Sequence, residues 1–219
     1  MQKKLAEKKF VVFDADGTLF DTMTGYSETF SDLVYRYFSI DRDIARRFYF
    51  ATAGTNLDKQ FRELLKQEGK SFNNSDIVKL YEEFFAISET LSANLFDDVK
   101  PLLDCLKEKS FKMFITSGTK GNILYRRLEE TGIGKYFTMF LGSDDIPKGV
   151  AHIGIFSEMI DVSFQNFASQ GCFIGDGPGD MQLACSANML AIGLTRTVSE
   201  DALKQAGANI VISSLNNLI

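Results

Sequence analysis

Positive charge is scarce in this chain: 24 lysine and arginine residues stand against 29 aspartate and glutamate residues, for a net charge of −5. Such a chain offers no basic face to a nucleic-acid backbone, so an anionic ligand would have to be held by a few local cations. No apolar stretch is long enough for a signal peptide or a membrane span. We therefore expect a cytoplasmic protein with no nucleic-acid or membrane partner, and a monomer by default.

Cysteine and histidine are also rare. The three cysteines, Cys105, Cys172 and Cys185, are not closely spaced, which argues against a disulfide framework. The one histidine, His152, lies in a segment with a helical pattern and outside every motif described below. This position favours a packing or surface role for His152 over a catalytic one.

The chain does have a regular alternation of short apolar runs and helical patterns. The apolar runs, which predict buried strands, are FVVF (10–13), FKMFIT (111–116), FTMFLG (137–142), CFIGD (172–176), MLAIGL (189–194) and ANIVIS (208–213). Helical patterns separate the later runs, and one of them predicts a single helix over 149–168. The alternation predicts an α/β fold, a Rossmann-like three-layer core whose parallel sheet is covered by helices on both faces.

One long stretch, 20–97, shows amphipathic helical patterns and no convincing strand. Four helices are predicted in it, over 25–38, 41–52, 56–69 and 75–92. The sequence therefore predicts two domains: a catalytic core formed by 1–19 and 98–219, and an all-helical cap, or lid, inserted at 20–97.

Polar side chains follow the predicted strands at the points where the strands end. In chain order they are Asp14 and Asp16, Thr116 and Ser117, Lys148, and Asp176 and Asp180. Because the carboxyl ends of parallel strands meet at one edge of the sheet, we expect these side chains to converge there. Four convergent carboxylates repel one another unless a cation lies among them, and Mg²⁺ is the hard divalent ion that prefers such ligands. A lysine and hydroxyl groups beside that ion indicate a phosphoryl-transfer site.

Two other kinds of site fit these motifs poorly. An EF-hand calcium loop starting at Asp14 would need glycine and glutamate where the chain has Leu19 and Gly25. A dinucleotide-binding G-x-G-x-x-G loop over 175–180 would need glycine where the chain has Asp180.

The motif D-x-D-G-T at 14–18, followed by G-D-x-x-x-D at 175–180, resembles the haloacid dehalogenase-like superfamily, and the resemblance extends over nearly the whole chain. The helical insertion after the first motif is similar to the phosphatase branch that includes phosphoglycolate phosphatases and beta-phosphoglucomutases. The resemblance implies that Asp14 is the nucleophile. It implies that Asp16 is the general acid and base, with its backbone carbonyl on the metal.

The resemblance also implies roles for the other polar residues at the sheet edge. Thr116 and Ser117 would bind the transferring phosphate, and Lys148 would offset its charge. Magnesium would be held by Asp14, Asp16 and Asp176, with Asp180 acting from farther out. Two segments depart from the family pattern: GVAHIG follows Lys148 where many relatives have a K-P-x-P stretch, and TSGTKGN is a loose version of the second motif.

These observations predict a magnesium-dependent phosphatase that hydrolyses a small phosphorylated metabolite through an aspartyl-phosphate intermediate. A sugar-phosphate mutase stays open as an alternative, because it needs the same motifs and differs only in which group accepts the phosphoryl group. A non-catalytic binding protein on the same fold is the other alternative.

Overall fold

A parallel sheet of six strands forms the centre of the molecule. The computed structural model describes residues 7–91, 93–144 and 146–219, so 1–6 of the predicted core and Ser92 of the fourth predicted cap helix lie outside the described residues. The strands are β1 (Phe10–Phe13), β2 (Lys112–Thr116), β3 (Phe137–Leu141), β4 (Gly171–Gly175), β5 (Leu190–Leu194) and β6 (Ile210–Ile212). Their order in the sheet is β3-β2-β1-β4-β5-β6, and the six predicted strands are confirmed.

Helices occupy both faces of the sheet and form a separate group between β1 and β2. The helices are α1 (Met23–Phe38), α2 (Arg42–Ala51), α3 (Leu57–Gln67), α4 (Asn74–Ser88), α5 (Val99–Glu108), α6 (Gly121–Thr131), α7 (Val150–Met159), α8 (Phe164–Ser169), α9 (Pro178–Ser186) and α10 (Glu200–Gln205). Short 3-10 helices lie at Gly134–Tyr136 and Leu215–Leu218.

The sheet is buried on both faces, as the continuous apolar runs predict. Because side chains alternate along a strand, Val11 and Phe13 of β1 pack in one apolar cluster with Leu102 of α5. Val12 points the other way and packs in a second cluster with Phe156 of α7. The two clusters and the sheet between them make the three layers of an α/β fold, which confirms the predicted fold class.

Helices α1 to α4 have an apolar core of their own. Phe30 of α1 stacks on Phe61 of α3, with ring centroids 4.6 Å apart. Asp41 caps α2 by accepting from two backbone amides, and Asn73 starts α4 with a capping box. Ile123 of α6 belongs to the same apolar cluster, so this helical group packs directly against the sheet-containing part of the chain.

The chain leaves the sheet and returns to it through two neighbouring segments. Phe20 and Leu95 pair in an isolated antiparallel bridge, and the Phe96 amide donates to the Leu19 carbonyl at 3.2 Å. Among the described residues between 25 and 95, only Leu95 takes part in β-pairing, in that isolated bridge. The domain boundaries at 19/20 and 97/98 stay a prediction.

The predicted single helix over 149–168 is wrong, because the chain forms two helices, α7 and α8, in this region. Asp161 adopts a left-handed backbone conformation with φ of 55°, which ends a helix. The Ser163 side chain then accepts from the Asn166 amide and caps α8. Within the described residues, every helix is too short or too polar to span a membrane.

Candidate active site

The predicted site residues lie beyond the carboxyl ends of the central strands. Asp14 follows β1 and Asp176 follows β4, and these two strands pair side by side. Strands β2 and β3 are added on one side of β1, and β4 to β6 are added on its other side, so the order of strands reverses between β1 and β4. Ligands of open α/β sheets bind in the crevice at this switch point.

Three carboxylates and one lysine form the centre of the site. One oxygen from each of Asp14, Asp176 and Asp180 lies within 4.8 Å of the others, and all three residues are buried. Lys148 Nζ donates to Asp14 Oδ1 and to Asp180 Oδ1, at 2.6 Å in each case. One cation thus faces three carboxylates, and the cluster holds excess negative charge.

Burial and mutual repulsion perturb the protonation of this cluster. Burial, with the charges of Asp180 and Asp176, raises the pKa of Asp14 well above its usual range although Lys148 opposes the rise. Burial and the Asp180 charge raise the pKa of Asp176 to about 6. Burial works against the charge on Lys148, but Asp14 and Asp180 outweigh it and raise its pKa. A further cation would relieve the repulsion.

The donor set fits Mg²⁺ because it consists of hard carboxylate oxygens with surplus negative charge. Asp14 uses Oδ1 for Lys148, and Oδ2 has no hydrogen-bond partner among the described residues. Asp176 accepts from the hydroxyls of Thr18 and Thr197, which orient its carboxylate. Asp180 already accepts from Lys148 through Oδ1 and from the Gly177 amide through Oδ2 at 3.0 Å.

Asp16 lies beside this cluster and is held by four donors. Oδ1 accepts from Thr22 Oγ1 and from Arg127 Nη1, both at 2.8 Å. Oδ2 accepts from Thr119 Oγ1 at 2.7 Å and from Ser117 Oγ at 3.3 Å. Thr22 belongs to the segment that enters the helical insertion, so the Asp16 side chain connects that segment with the sheet edge.

The two hydroxyl residues predicted to bind phosphate differ in their surroundings. Thr116 is fully buried, and its hydroxyl lies 2.8 Å from His152 Nδ1. His152 Nε2 lies 2.9 Å from the Ile146 carbonyl oxygen, which can only accept, so Nε2 carries the proton and Thr116 donates to Nδ1. The Ser117 hydroxyl thus lies next to Asp16, whereas the Thr116 hydroxyl is bonded to His152. His152 packs in the interior, and burial lowers its pKa.

A cavity of about 60 Å³ lies between the sheet edge and the helical insertion. Asp14, Asp16, Gly118, Thr119 and Lys148 line it on the sheet side. Side chains of the helical insertion close the other side, among them Met23, Tyr49, Leu57, Gln60, Phe84 and Phe85. Burial and then the neighbouring Tyr26, Asp16 and other carboxylates raise the pKa of Tyr49, which places the ring in the same electrostatic environment.

The loop 53–55 of the insertion touches the acidic loop 175–180 through backbone atoms. The Gly179 amide donates to the Ala53 carbonyl at 3.0 Å. A Cβ on Gly177 would lie 2.3 Å from that carbonyl oxygen, and a Cβ on Gly179 would lie 2.4 Å from the Gly54 carbonyl carbon. Only glycine allows backbones to approach this closely.

Part of the cap segment ATAGTN, 51–56, lines the cavity. The structure places Gly54 and Thr55 of that sequence at the cavity. Thr52 instead accepts from Gln60 Nε2 through its carbonyl oxygen and its hydroxyl, at 2.9 Å each. Four cations of the insertion, Arg46, Arg47, Lys59 and Arg62, are absent from the cavity lining formed by the described residues.

The site also contains several residues that the sequence motifs did not predict: Thr119, Arg127, Tyr26, Tyr49 and Gln60. Arg127 had a detectable signal, because it shares the buried stripe of α6 with Ile123, Leu124 and Leu128. A charged residue at an apolar position needs a buried partner, and the partners are Asp16 and Tyr26, whose hydroxyl lies 2.7 Å from Nη1. Tyr49 and Gln60 offered no comparable signal.

The fold and the cluster define the class of α/β proteins that carry an acidic, lysine-containing site beyond the ends of the central strands. Residues 11–194 match the family model of haloacid dehalogenase-like hydrolases. The chain therefore belongs to the haloacid dehalogenase-like hydrolase family, as the sequence motifs predicted.

Named relatives and solved structures align with nearly the whole chain. The chain is 26% identical to a protein named "Probable phosphatase IndB" from Dickeya dadantii, an alignment that covers 97% of this chain and 92% of the relative. It is 24% identical to a phosphoglycolate phosphatase from Vibrio parahaemolyticus, with coverage of 96% and 94%. The structure of a beta-phosphoglucomutase from Clostridium difficile has a TM-score of 0.78 at 23% identity, with coverage of 97% and 93%. That structural likeness concerns the fold alone.

Proposed function

We propose that this protein is a magnesium-dependent phosphatase that hydrolyses a small phosphorylated metabolite through a phosphoryl group on Asp14. The observation that carries this proposal is the buried cluster of Asp14, Asp176 and Asp180 around Lys148, with Asp16 beside it. The family match and the relatives named as phosphatases support the same reaction class.

Asp14 is the nucleophile in this proposal. Lys148 binds Oδ1 and orients the carboxylate, which leaves Oδ2 to attack phosphorus in line with the departing oxygen. Mg²⁺, held by the carboxylates of Asp14 and Asp176 and the Asp16 carbonyl, would counter the charge that develops on the phosphoryl oxygens. Lys148, which is bound to Asp14, would contribute to the same neutralisation.

Asp16 is the proton-transfer group in this proposal. In the first step it donates a proton to the leaving oxygen, and in the second it accepts one from the water that hydrolyses the aspartyl phosphate. Two easier steps thereby replace one difficult displacement. Asp16 must exchange at least one of its four present donors for the substrate during this cycle, and the Ser117 contact is the longest of them, at 3.3 Å.

Hydroxyl groups of the segment after β2 would hold the phosphate. Ser117 and Thr119 carry hydroxyls that lie next to Asp16, and Ser117 also accepts from the Thr119 amide at 3.0 Å. Thr116 would act indirectly, because its bond to His152 fixes the end of β2. The helical cap, 20–97, would close over the substrate and shut out bulk water, as its seating on the loop 175–180 supports.

The test is phosphate release from p-nitrophenyl phosphate with Mg²⁺ or with EDTA, followed by trapping of the phosphoenzyme. Acid quench and mass spectrometry of the peptide containing Asp14 should find the phosphoryl group in the wild type and none in Asp14→Asn. Asp16→Asn should still accept some phosphoryl from this good leaving group and should hydrolyse the intermediate slowly. Asp97→Asn, at an exposed aspartate, is the matched control.

Two results would contradict the proposal. Phosphorylated peptide that maps to Asp16, or equal trapping in the two variants, would reverse the roles of the aspartates. Absence of metal-dependent turnover on any phosphomonoester would favour the non-catalytic binding protein. Transfer of the phosphoryl group to a sugar hydroxyl faster than to water would favour the mutase.

A further inference from the structure

Among the described residues, the cap side of the cavity carries no lysine or arginine side chain. Lys148 is the one cationic side chain among the described residues that line the cavity, and its ammonium group is already bound to Asp14 and Asp180. Arg127 is also buried, but it is paired with Asp16 and does not line the cavity. One cap cation, Arg62, lines a separate cleft together with Lys120.

A tyrosine of the cap lines the cavity instead. Tyr49 is 6% exposed and lines the cavity. None of the described residues forms a hydrogen bond with its hydroxyl group, although the ring contacts Phe30, Phe84 and other aromatic rings of the cap. With no partner among the described residues, this hydroxyl group is free to bond with a ligand atom in the cavity.

Gln60 adds an acceptor to the same wall. Its Nε2 donates to the carbonyl oxygens of Tyr49 and Thr52, at 3.5 and 2.9 Å, and to the Thr52 hydroxyl. This bonding fixes the orientation of the amide. The carbonyl oxygen Oε1 is left without a partner within the described part of the chain, and Gln60 is 3% exposed and lines the cavity. A hydroxyl-bearing ligand can donate to Oε1 and accept from Tyr49.

The cavity is unsuited to a second anionic group on the substrate. Lys148 and the bound divalent cation would be engaged by the phosphoryl group and the aspartates. A carboxylate on the leaving group would then face the Gln60 carbonyl and Asp16 with no cation beside it, and an unpaired buried charge is costly. The cavity of about 60 Å³ is also well below the roughly 300 Å³ at which small-molecule pockets usually begin, so the leaving group must be compact.

We infer that the substrate is the phosphate monoester of a compact, uncharged alcohol that carries a further hydroxyl group, recognised by Tyr49 and Gln60. This inference rests on the proposed phosphatase function and narrows its substrate class. It separates the chain from the relatives named phosphoglycolate phosphatases, because glycolate carries a carboxylate.

Three small substrates of nearly equal size test the inference: ethyl phosphate, 2-hydroxyethyl phosphate and 2-phosphoglycolate, with phosphate release measured in the presence of Mg²⁺. The wild type should turn over 2-hydroxyethyl phosphate with a kcat/KM about 100-fold above that for 2-phosphoglycolate. Tyr49→Phe removes only the hydroxyl and should lower kcat/KM for 2-hydroxyethyl phosphate by about 3- to 10-fold. The same variant should lower kcat/KM for ethyl phosphate by a smaller factor, because ethyl phosphate has no second hydroxyl group. Tyr35→Phe, at a cap tyrosine that is 48% exposed, is the matched control and should change neither.

Equal or faster hydrolysis of 2-phosphoglycolate by the wild type would overturn the inference while leaving the phosphatase function standing. An equal loss on ethyl phosphate and 2-hydroxyethyl phosphate in Tyr49→Phe would also overturn it, because a merely structural ring would act on both substrates alike. Failure of the proposed function itself would look different, because the wild type would then release phosphate from none of the three substrates, with or without Mg²⁺.

Discussion

A single methyl group at Gly179 would probe whether the cap must seat on the acidic loop for catalysis. A Cβ at this position would lie 2.4 Å from the Gly54 carbonyl carbon and 2.6 Å from its oxygen, where ordinary contacts start at 3.4 Å. Gly179→Ala would therefore displace the loop 53–55 by about 1 Å, and a misplacement of that size in a positioning element costs about 100-fold in rate. We expect kcat/KM to fall by that factor.

The stability of the variant should not fall with its activity. Gly179 lies in the first turn of α9, without the positive φ that favours glycine. Alanine is the better helix former by about 1 kcal/mol in a helix interior. The sheet-containing core should therefore keep or slightly gain stability, and only the contact between cap and core should weaken.

The assay compares kcat/KM, the Mg²⁺ concentration for half-maximal activity, and the melting temperature of wild type and variant. Gly154→Ala is the matched control, because a Cβ on Gly154 of α7 meets no atom within 4 Å. If Gly179→Ala kept more than about half of the wild-type kcat/KM, seating of the cap on this loop would not matter for the reaction. A melting temperature that fell together with activity would attribute the loss to damage in the core instead.

Two further substitutions test the charges of the site. Burial and the Asp180 charge raise the pKa of Asp176 from 3.8 to about 6. The folded metal-free protein therefore binds a proton at Asp176 more tightly than the unfolded chain does. Its free energy of unfolding should rise as pH falls through about 6. Asp176→Asn should remove the destabilisation by the buried ionised carboxylate, worth about 3 kcal/mol above pH 6, and should abolish any rise in melting temperature caused by Mg²⁺. Thermal unfolding at pH 5 and pH 8, with EDTA or with MgCl₂, measures both effects. Equal stabilisation of the two proteins by Mg²⁺ would contradict the assignment. Arg127→Met removes one of the four donors that hold the Asp16 carboxylate in place. It should lower kcat by about 10-fold for ethyl phosphate, whose leaving group would depend on a proton from Asp16 under the proposed function. The loss should be much smaller for p-nitrophenyl phosphate, with partial recovery in Arg127→Lys. Equal losses on the two substrates would indicate that Arg127 serves structure alone.

Strands and acidic motifs were predictable from the sequence because the physics that determines them is local. A strand buried on both faces must be a short continuous apolar run, and each such run here became a strand of the sheet. A residue directly after a strand must lie at the edge of the sheet, so Asp14 after β1 and Asp176 after β4 could be placed without tertiary information. The same reasoning failed between α7 and α8, where Asp161 in the left-handed conformation ends one helix within an otherwise continuous pattern.

Side-chain direction at the ends of elements was less predictable. Thr116 and Ser117 are adjacent, and successive residues of a strand point to opposite sides. One residue therefore bonds to His152 and the other to Asp16, and the sequence cannot tell which until the sheet is assembled. Tyr49 and Gln60 pose a harder case, because their contact with the site depends on how the whole cap packs on the core.

The position of Asp180 explains why the site has three carboxylates around one lysine. Both Asp180 oxygens are engaged, one by Lys148 and one by the Gly177 amide, so this carboxylate is suited to hold Lys148 and the acidic loop. A Cβ on Gly54 would lie 2.8 Å from the Asp180 amide nitrogen, which shows that the cap loop rests on the same residue. Asp180 thus contacts the Lys148 ammonium group and the loop that carries Asp176 through its side chain, and it lies against the cap loop at its backbone amide. A substitution there should disturb all three at once, whereas one at Asp176 should act on the charge of the carboxylate cluster and on the bonds from Thr18 and Thr197.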